Sequence, residues 1–213
     1  MSAGIQKVSE FHTVIGLLAA RTGQFIEYSN IANDSGVSSV TIKEWIGFLE
    51  RADLIYLLKP YESNLNKRLI KMPKLYFLDT GLATRLQGWS DILLLMNSPQ
   101  GGHLFETLVL AEILKFIRNY RKDWQLFVWR TKEGEKEEID FVIKTSENKV
   151  VALDAKLAIQ GIPEKVRYPA SFQKEFSIDE PLALITYGGR QLQISTHCIV
   201  VPIAELHDYL KSI

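Results

Sequence analysis

Cysteine, long apolar runs and an excess of either charge are all lacking in this sequence. The single cysteine, Cys198, excludes an intramolecular disulfide and is typical of a reducing compartment. The longest apolar stretches, such as Ile92–Met96, fall far short of the ~20 residues that a membrane-spanning helix needs. The N-terminus also lacks the apolar core of a signal peptide. We therefore expect a soluble, cytoplasmic protein with no membrane partner.

The charge balance limits the surfaces that nucleic acid could use. Lysine and arginine together number 25, as do aspartate and glutamate, so the net charge is zero. No global basic field attracts a polyanion, and any nucleic-acid contact must be local. The sequence also has no G-x-x-x-x-G-K-[ST] stretch, the loop that cradles nucleotide phosphates. We expect no ATPase activity from this chain.

The first eighty residues show the pattern of three helices followed by two strands. Apolar residues at helical spacing predict helices at 11–18 and 39–49, and residues 29–35 fit a short helix between them. Two apolar runs of strand character follow at 54–58 and 75–78. Three helices and a hairpin with a basic connection are the plan of a winged helix, which we predict over residues 1–80.

Candidate DNA contacts lie on the third helix and on the basic connection. They are Thr41, Lys43, Lys59, Lys67, Arg68 and Lys71. Lys74 is a further basic residue of the connection, which holds Glu62 as its one acid. Phosphate contacts would use such lysines and arginines. Charge runs are usually solvated faces, however, so a domain that packs on another protein stays open as the alternative.

Residues 81–100 are predicted to form a linker segment with short helical pieces, and Asn97 to Gly102 is the clearest break in the chain. In residues 101–213 the pattern of apolar residues changes from mainly helical to alternating helices and strands. It predicts an α/β (α+β) domain with a mixed sheet, in the order α, β, β, β, α, β. Its predicted elements are a helix from about His103 to Tyr120, strands at Gln125–Arg130, Glu138–Ile143 and Lys149–Lys156, a helix starting near Pro163, strands at Leu182–Ile185 and Cys198–Val201, and a last helix opened by Pro202.

Three acids and a lysine occupy informative places in that order. Glu106 is expected in the first turn of the long helix, Asp140 within the second strand, and Asp154 and Lys156 on one face at the end of the third. Neighbouring strands lie only ~4.8 Å apart, so Asp140 and Asp154 can come close. Two such carboxylates favour a raised pKa or a shared divalent cation, and oxygen ligands suit Mg²⁺ or Mn²⁺.

This element order, with Glu, Asp and Asp-Ala-Lys, resembles the PD-(D/E)XK phosphodiesterase superfamily, whose members share the restriction-endonuclease-like fold. The resemblance implies that Asp140, Asp154 and the carbonyl of Ala155 bind Mg²⁺. It also implies that Glu106 completes the site and that Lys156 acts on the attacking water. A catalytic metal-dependent nuclease is the activity that follows.

A closer resemblance covers roughly residues 40–160. The stretches 48–55, 73–82 and 138–142 read FLERADLI, PKLYFLDTGL and EIDFV. They are similar to a domain of unknown function that follows an AAA-type ATPase domain in many bacterial and archaeal proteins, which implies an ATPase portion as partner. This group usually has Glu-Val-Lys where the chain has Asp154-Ala155-Lys156. With no ATPase loop, the chain is either a C-terminal piece or a natural product without the motor.

The leading expectation is therefore a DNA-directed, Mg²⁺-dependent phosphodiesterase-like module of an ATPase-family protein. The rival is a catalytically silent regulatory or protein-binding adaptor with a residual acid cluster. These residues also have purely structural explanations. Asp154 and Lys156 can be exposed strand charges, Glu106 can complement the positive end of its helix, and His103 can be a surface residue. Convergence of Glu106, Asp140 and Asp154 within metal-sharing distance would favour the first hypothesis.

Overall fold

Helices and strands form a mixed α/β arrangement with two sheets. The computed structural model describes residues 7–61, 72–131, 137–157, 167–176, 178 and 180–213. Its helices are α1 Val8–Ala19, α2 Tyr28–Ser35, α3 Ser39–Arg51, α4 Thr80–Leu86, α5 Ile92–Met96, α6 Pro99–Asn119, α7 Ala170–Glu175 and α8 Leu206–Lys211, the last preceded by a 3-10 turn at Ile203–Glu205. Its strands are β1 Gln24–Phe25, β2 Ile55–Leu58, β3 Lys74–Phe77, β4 Gln125–Arg130, β5 Glu138–Lys144, β6 Val150–Lys156, β7 Leu182–Thr186, β8 Leu192–Ser195 and β9 Cys198–Pro202.

The three predicted N-terminal helices are confirmed by α1, α2 and α3. Ser38 caps α3, because its hydroxyl accepts a hydrogen bond from the Thr41 amide at 3.2 Å. Gly36 ends α2 in the left-handed region, with a φ of 70°. Val14 and Ile42 come from the predicted apolar stripes and are fully buried in one shared core.

A small antiparallel sheet completes the N-terminal half in the order β1-β3-β2. Strands β2 and β3 correspond to the two predicted apolar runs, whereas β1 has only two residues and leaves no periodic signal. Leu58 pairs with Lys74, so Lys74 opens β3. After β2 the chain runs beside the second sheet, because the Lys59 carbonyl accepts from the Val128 amide at 3.1 Å and the Tyr61 amide donates to the Val128 carbonyl at 2.7 Å.

The second sheet has six strands in the order β4-β5-β6-β7-β9-β8. Strands β4, β5 and β6 pair antiparallel, β6, β7 and β9 pair parallel, and β8 is antiparallel to β9. The predicted mixed sheet and α/β class are thus confirmed. Strand β8 was missed because Leu192 and Gln193 are exposed and show no alternation. Cys198 is fully buried in β9, as expected.

Helix α6 packs on this sheet and begins earlier than the sequence indicated. Val109, Ile113 and Phe116 share a core with Phe141 and Leu153. The pairing of Phe141 with Leu153 makes β5 and β6, the strands of Asp140 and Asp154, direct neighbours.

The predicted break at Asn97–Gly102 is confirmed only at Asn97 and Ser98, which separate α5 from α6, because Pro99 starts α6 and both glycines lie in its first turn. Gly101 allows this turn to approach α5 closely: a Cβ there would lie 2.6 Å from the Leu95 carbonyl oxygen. Residues 81–100 include most of α4 and all of α5, and Ala83 and Leu95 are buried in the N-terminal core. The two domain boundaries stay a prediction.

Alanine substitutions at Gly101 and Gly102 distinguish the effect of close packing on stability from the effect of helix propensity. Gly101→Ala is expected to destabilise the protein by about 1–3 kcal/mol, because its methyl group meets backbone atoms of α5 that cannot rotate away. Gly102→Ala is the matched control, since nothing lies within 4 Å of its Cβ position, and should stabilise by up to ~1 kcal/mol. Urea denaturation of both variants measures the difference, and equal effects would contradict the close approach.

Two further sequence expectations concern the C-terminal third. The chain after Pro202 is helical as predicted, first as the 3-10 turn and then as α8. Pro163, where a helix was expected to start, lies outside the described residues, but α7 lies between β6 and β7, where the predicted order places a helix. In the part of the chain that the structure describes, no helix combines the length and apolarity needed to span a bilayer.

Candidate functional site

An irregularity in β5 places Asp140. Phe127 pairs with Val142 but Trp129 pairs with Ile139, so β5 advances three residues while β4 advances two. This extra residue is a β-bulge, which re-aims the neighbouring side chains. Ile139 and Val142 therefore share one core, while Phe141 lies in the other with α6. The bulge lets Asp140 face the N-terminal half of the chain.

Lys74 fills the space that Asp140 faces. Its side chain is only 5% exposed, and its Nζ lies 2.6 Å from Glu106 Oε1, 2.5 Å from Glu138 Oε1 and 3.5 Å from Asp140 Oδ1. Burial alone would lower the pKa of Lys74, but the carboxylates of Glu106, Asp140 and Glu138 outweigh burial and raise it. The sequence pattern predicts Lys74 to be a solvated basic residue of the connection, and this prediction is wrong because Lys74 is buried among acids.

Glu106 reaches the same ammonium from α6. Because α6 starts at Pro99, Glu106 lies about two turns into the helix rather than in its first turn, so the helix-end explanation is wrong. The residue is 7% exposed, and the Tyr76 hydroxyl donates a hydrogen bond to its Oε1. Burial, followed by the charge of Asp140, raises the pKa of Glu106 to about 8 despite Lys74.

Asp140 and Asp154 are linked through backbone amides. The Asp140 amide donates to Asp154 Oδ1 at 3.1 Å, and the Ala155 amide donates to Asp140 Oδ2 at 2.9 Å. These side-chain bonds continue the contact of β5 and β6 beyond the Phe141–Leu153 pair. Burial and the charge of Asp140 raise the pKa of Asp154 to about 7.

The remaining residues of the Asp-Ala-Lys triplet differ in environment. Ala155 packs against the core beneath α6, as Leu153 does. Lys156 is exposed at the end of β6, and Asp154 is half-buried. Asp154 is therefore not an exposed strand charge. Lys156 is exposed, as the purely structural explanation predicts. The catalytic and metal roles of these residues stay predictions.

The acids meet an ammonium rather than one another. Glu106, Glu138 and Asp140 converge on Lys74 Nζ, and Asp154 joins them through Asp140. Among the described residues, no group of three or more His, Cys, Asp or Glu side chains has the geometry to hold a metal ion as the side chains lie. The donors are all oxygens, which suit a hard divalent cation, but the ammonium takes up three of the carboxylates.

His103 lies at the edge of this cluster instead of on the open surface. It is half-buried, and a Cβ built on Gly23 would lie only 3.1 Å from the Cβ of His103. Burial, and then the charge of Lys74, lower the pKa of His103. The expectation of a surface histidine is wrong because Gly23, with a φ of 72°, brings the N-terminal backbone against α6.

Further contacts join the two halves around Lys74. The hydroxyls of Thr22 and Thr107, both fully buried, lie 3.0 Å apart, and Thr22 Oγ1 accepts from the Phe77 amide at 3.1 Å. The Arg130 guanidinium lies over the Phe25 ring, 3.8 Å from its centroid. Thr22 therefore links β3 to α6 through hydrogen bonds, and the cation–π contact links β1 to β4.

The candidate DNA contacts are only partly described. Lys43 and Lys59 are exposed, while Thr41 is half-buried, with its hydroxyl 2.9 Å from that of Ser38. Lys67, Arg68 and Lys71 lie outside the described residues. None of the described three contacts the acid cluster through a hydrogen bond or ion pair that the structure shows.

The two halves match separate protein families. Residues 1–92 match the family model of a domain of unknown function, DUF8612, and residues 101–206 match that of another, DUF4143. Two domains of unknown function are found in this chain. Lys74 lies within the DUF8612 match, whereas Glu106, Glu138, Asp140 and Asp154 lie within the DUF4143 match. The acid cluster therefore joins the segment that matches DUF8612 to the segment that matches DUF4143.

Two relatives of the chain come from mycobacteria. An uncharacterized protein of Mycobacterium bovis and one of Mycobacterium tuberculosis are each 30% identical to it over 130 residues. The match covers 61% of this chain but 28% of each relative, so the chain spans a minor part of their length. No solved structure matches the chain.

Proposed function

We propose that DUF4143 in this chain is a PD-(D/E)XK-like, Mg²⁺-dependent phosphodiesterase module directed to DNA. The observation that supports this best is the position of Asp140, which contacts Lys74 together with Glu106 and also accepts from the triplet's Ala155 amide. Helix α6 and strand β5 thereby bring Glu106 and Asp140 to one ammonium, and Asp154 is linked to them through the Asp140 amide. Acids with perturbed pKa values often cluster at functional sites.

The electrostatics of the acids are compatible with a cation. Burial, and then the charge of Asp140, raise the pKa of Glu106 to about 8 and that of Asp154 to about 7, so a bound divalent cation would favour their ionised forms. In this proposal Asp140, Asp154 and the Ala155 carbonyl hold Mg²⁺, with Glu106 beside them. The bound cation would polarise the phosphate and acidify a water molecule, and Lys156 would orient that water.

The N-terminal half is proposed to be a winged helix that positions DNA. The order α1, β1, α2, α3, β2, β3 with the β1-β3-β2 sheet supports this assignment. Thr41 and Lys43 on α3 and the basic connection from Lys59 onward would contact the duplex, with Lys67, Arg68 and Lys71 contacting phosphates. By resemblance, an AAA-type ATPase portion is the proposed protein partner.

A second candidate function is a catalytically silent regulatory or protein-binding adaptor. The buried ammonium of Lys74 favours it, since that ion-pair cluster already neutralises part of the acid charge and joins DUF8612 to DUF4143. In this case the acids serve domain contact rather than chemistry, as folds often outlast activities.

Two substitutions distinguish these functions. Asp154→Asn is expected to remove Mn²⁺ binding, because it deletes a formal charge from a hard-cation site. Lys156→Ala should leave Mn²⁺ binding largely intact and abolish plasmid nicking, because it removes only water orientation and charge balance. Calorimetry with Mn²⁺ and a nicking assay measure both.

The matched control is Asp208→Asn, an exposed acid on α8 that pairs with Lys211 and should change neither readout. Mn²⁺ binding without nicking on any DNA form would favour the adaptor. A wild-type protein that binds no Mn²⁺ would rule out the metal site in this chain.

DNA binding has a separate signature in its salt dependence. Replacing Lys67 and Arg68 with glutamine should weaken duplex binding about equally for all sequences and reduce the salt slope by about 2. The control replaces Lys115 and Lys211, which are exposed and paired with acids on their own helices. Titration at several salt concentrations measures the slopes, and salt-insensitive binding would point to the adaptor.

A further inference from the structure

The lysine that reaches the acid cluster belongs to the other domain. Lys156, from DUF4143 itself, is exposed, whereas Lys74 enters from the first position of β3 in DUF8612. Its Nζ lies within 3.5 Å of carboxylate oxygens from Glu106, Glu138 and Asp140. A cation supplied by one domain is thus bound by the acids of the next.

Ammonium and metal would use the same oxygen atoms. Mg²⁺ binds oxygens at about 2.0–2.1 Å and demands a nearly octahedral shell. Lys74 Nζ already lies 2.6 Å from Glu106 Oε1, and that oxygen also accepts from the Tyr76 hydroxyl. Asp140 Oδ1 faces the same ammonium. A divalent cation bound to these carboxylates would lie close to the Lys74 ammonium. Two positive charges that close repel strongly in a buried site.

We propose that Lys74 is a built-in competitor of the divalent cation: the acidic site holds either the ammonium from DUF8612 or the metal. This inference rests on the proposed metal site and adds its regulation. Because Lys74 is part of β3, its departure weakens the contact between DUF8612 and DUF4143. By linkage, anything that pulls DUF8612 away, such as DNA or a partner protein, raises metal affinity by the same factor.

The local structure makes such a displacement specific. Strand β3 pairs with β1 and β2 and all four of its residues are buried, and Thr22 links its far end, at Phe77, to Thr107 of α6. The Lys59 and Tyr61 backbone bonds to Val128 form a separate attachment at the β4 edge. Metal binding should therefore loosen the Lys74 end of β3 first, while the Phe77 end and the attachment at β4 persist.

The experiment measures Mn²⁺ affinity by calorimetry in three proteins. Lys74→Met removes the charge and keeps most of the volume, so it should bind Mn²⁺ at least 10-fold more tightly than the wild type, within the usual range of coupling between sites. Lys115→Met is the matched control, an exposed lysine of α6 paired with Glu112, and should bind like the wild type.

Hydrogen exchange on the wild-type protein provides the second measurement and needs no variant to fold. Saturating Mn²⁺ is expected to accelerate amide exchange at the Lys74 end of β3 while leaving Tyr61 and β4 unchanged. Equal Mn²⁺ affinity of wild type and Lys74→Met, or stronger protection of β3 with Mn²⁺, would overturn the competition and leave the metal site standing. Failure of both proteins to bind Mn²⁺ would instead remove the metal site itself and this inference with it.

Discussion

Replacing Lys74 with alanine is expected to destabilise the folded protein by about 3–5 kcal/mol, the range seen when one partner of a buried ion pair is removed. The substitution leaves Glu106, Glu138 and Asp140 facing one another without their shared counter-ion. Glu106 is also too buried for water to replace the lost ammonium. The change in the free energy of unfolding is measured by urea denaturation.

Two comparisons make this result specific to the cluster. Lys115→Ala breaks an exposed pair with Glu112 and should cost no more than about 0.5 kcal/mol. Adding Asp140→Asn to Lys74→Ala should recover part of the loss, because it removes one of the carboxylates left unpaired. A loss below about 1 kcal/mol for Lys74→Ala would contradict the buried position of the ammonium.

The stability of the protein is expected to fall as the pH rises from about 4.5 to about 8. Glu106 has an ordinary pKa of 4.5, and burial together with Asp140 raises the pKa to about 8 in the folded state. Between these values the folded state keeps a proton that the unfolded state has released. Stability therefore decreases with pH, by about 1.4 kcal/mol for each pH unit and each such group.

Asp154 contributes in a similar window, from its ordinary pKa of 3.8 to about 7, for the same two reasons. The stabilisation is fully present below the unfolded pKa values and is lost as the pH passes through the folded ones. Urea denaturation at several pH values measures it. Glu106→Gln should reduce the slope between pH 4.5 and 7, where Asp154 still contributes, and flatten the profile from about 7 to 8. A wild-type profile already flat between pH 4.5 and 8 would contradict the burial of Glu106.

Local patterns explain which elements could be predicted. Helix α3 was recognised from its apolar stripe and the cap at Ser38, both of which depend on neighbours within a turn. Strand β1 escaped because two residues carry no period. The start of α6 was predicted too late because a glycine such as Gly101 usually marks a break. Here Gly101 is needed because the Leu95 backbone packs closely against it, and this is a tertiary contact.

By itself the sequence determined the mixed α/β order and the adjacent strands of Asp140 and Asp154, because alternation and apolar spacing are set by short-range geometry. The tertiary structure alone decided what surrounds those acids. The bulge that turns Asp140 depends on the partner strand β4, and Lys74 meets Glu106 and Glu138 only after distant parts of the chain pack together. No local pattern distinguishes this buried lysine from its solvated neighbours, because burial of a charge is determined by its long-range partners.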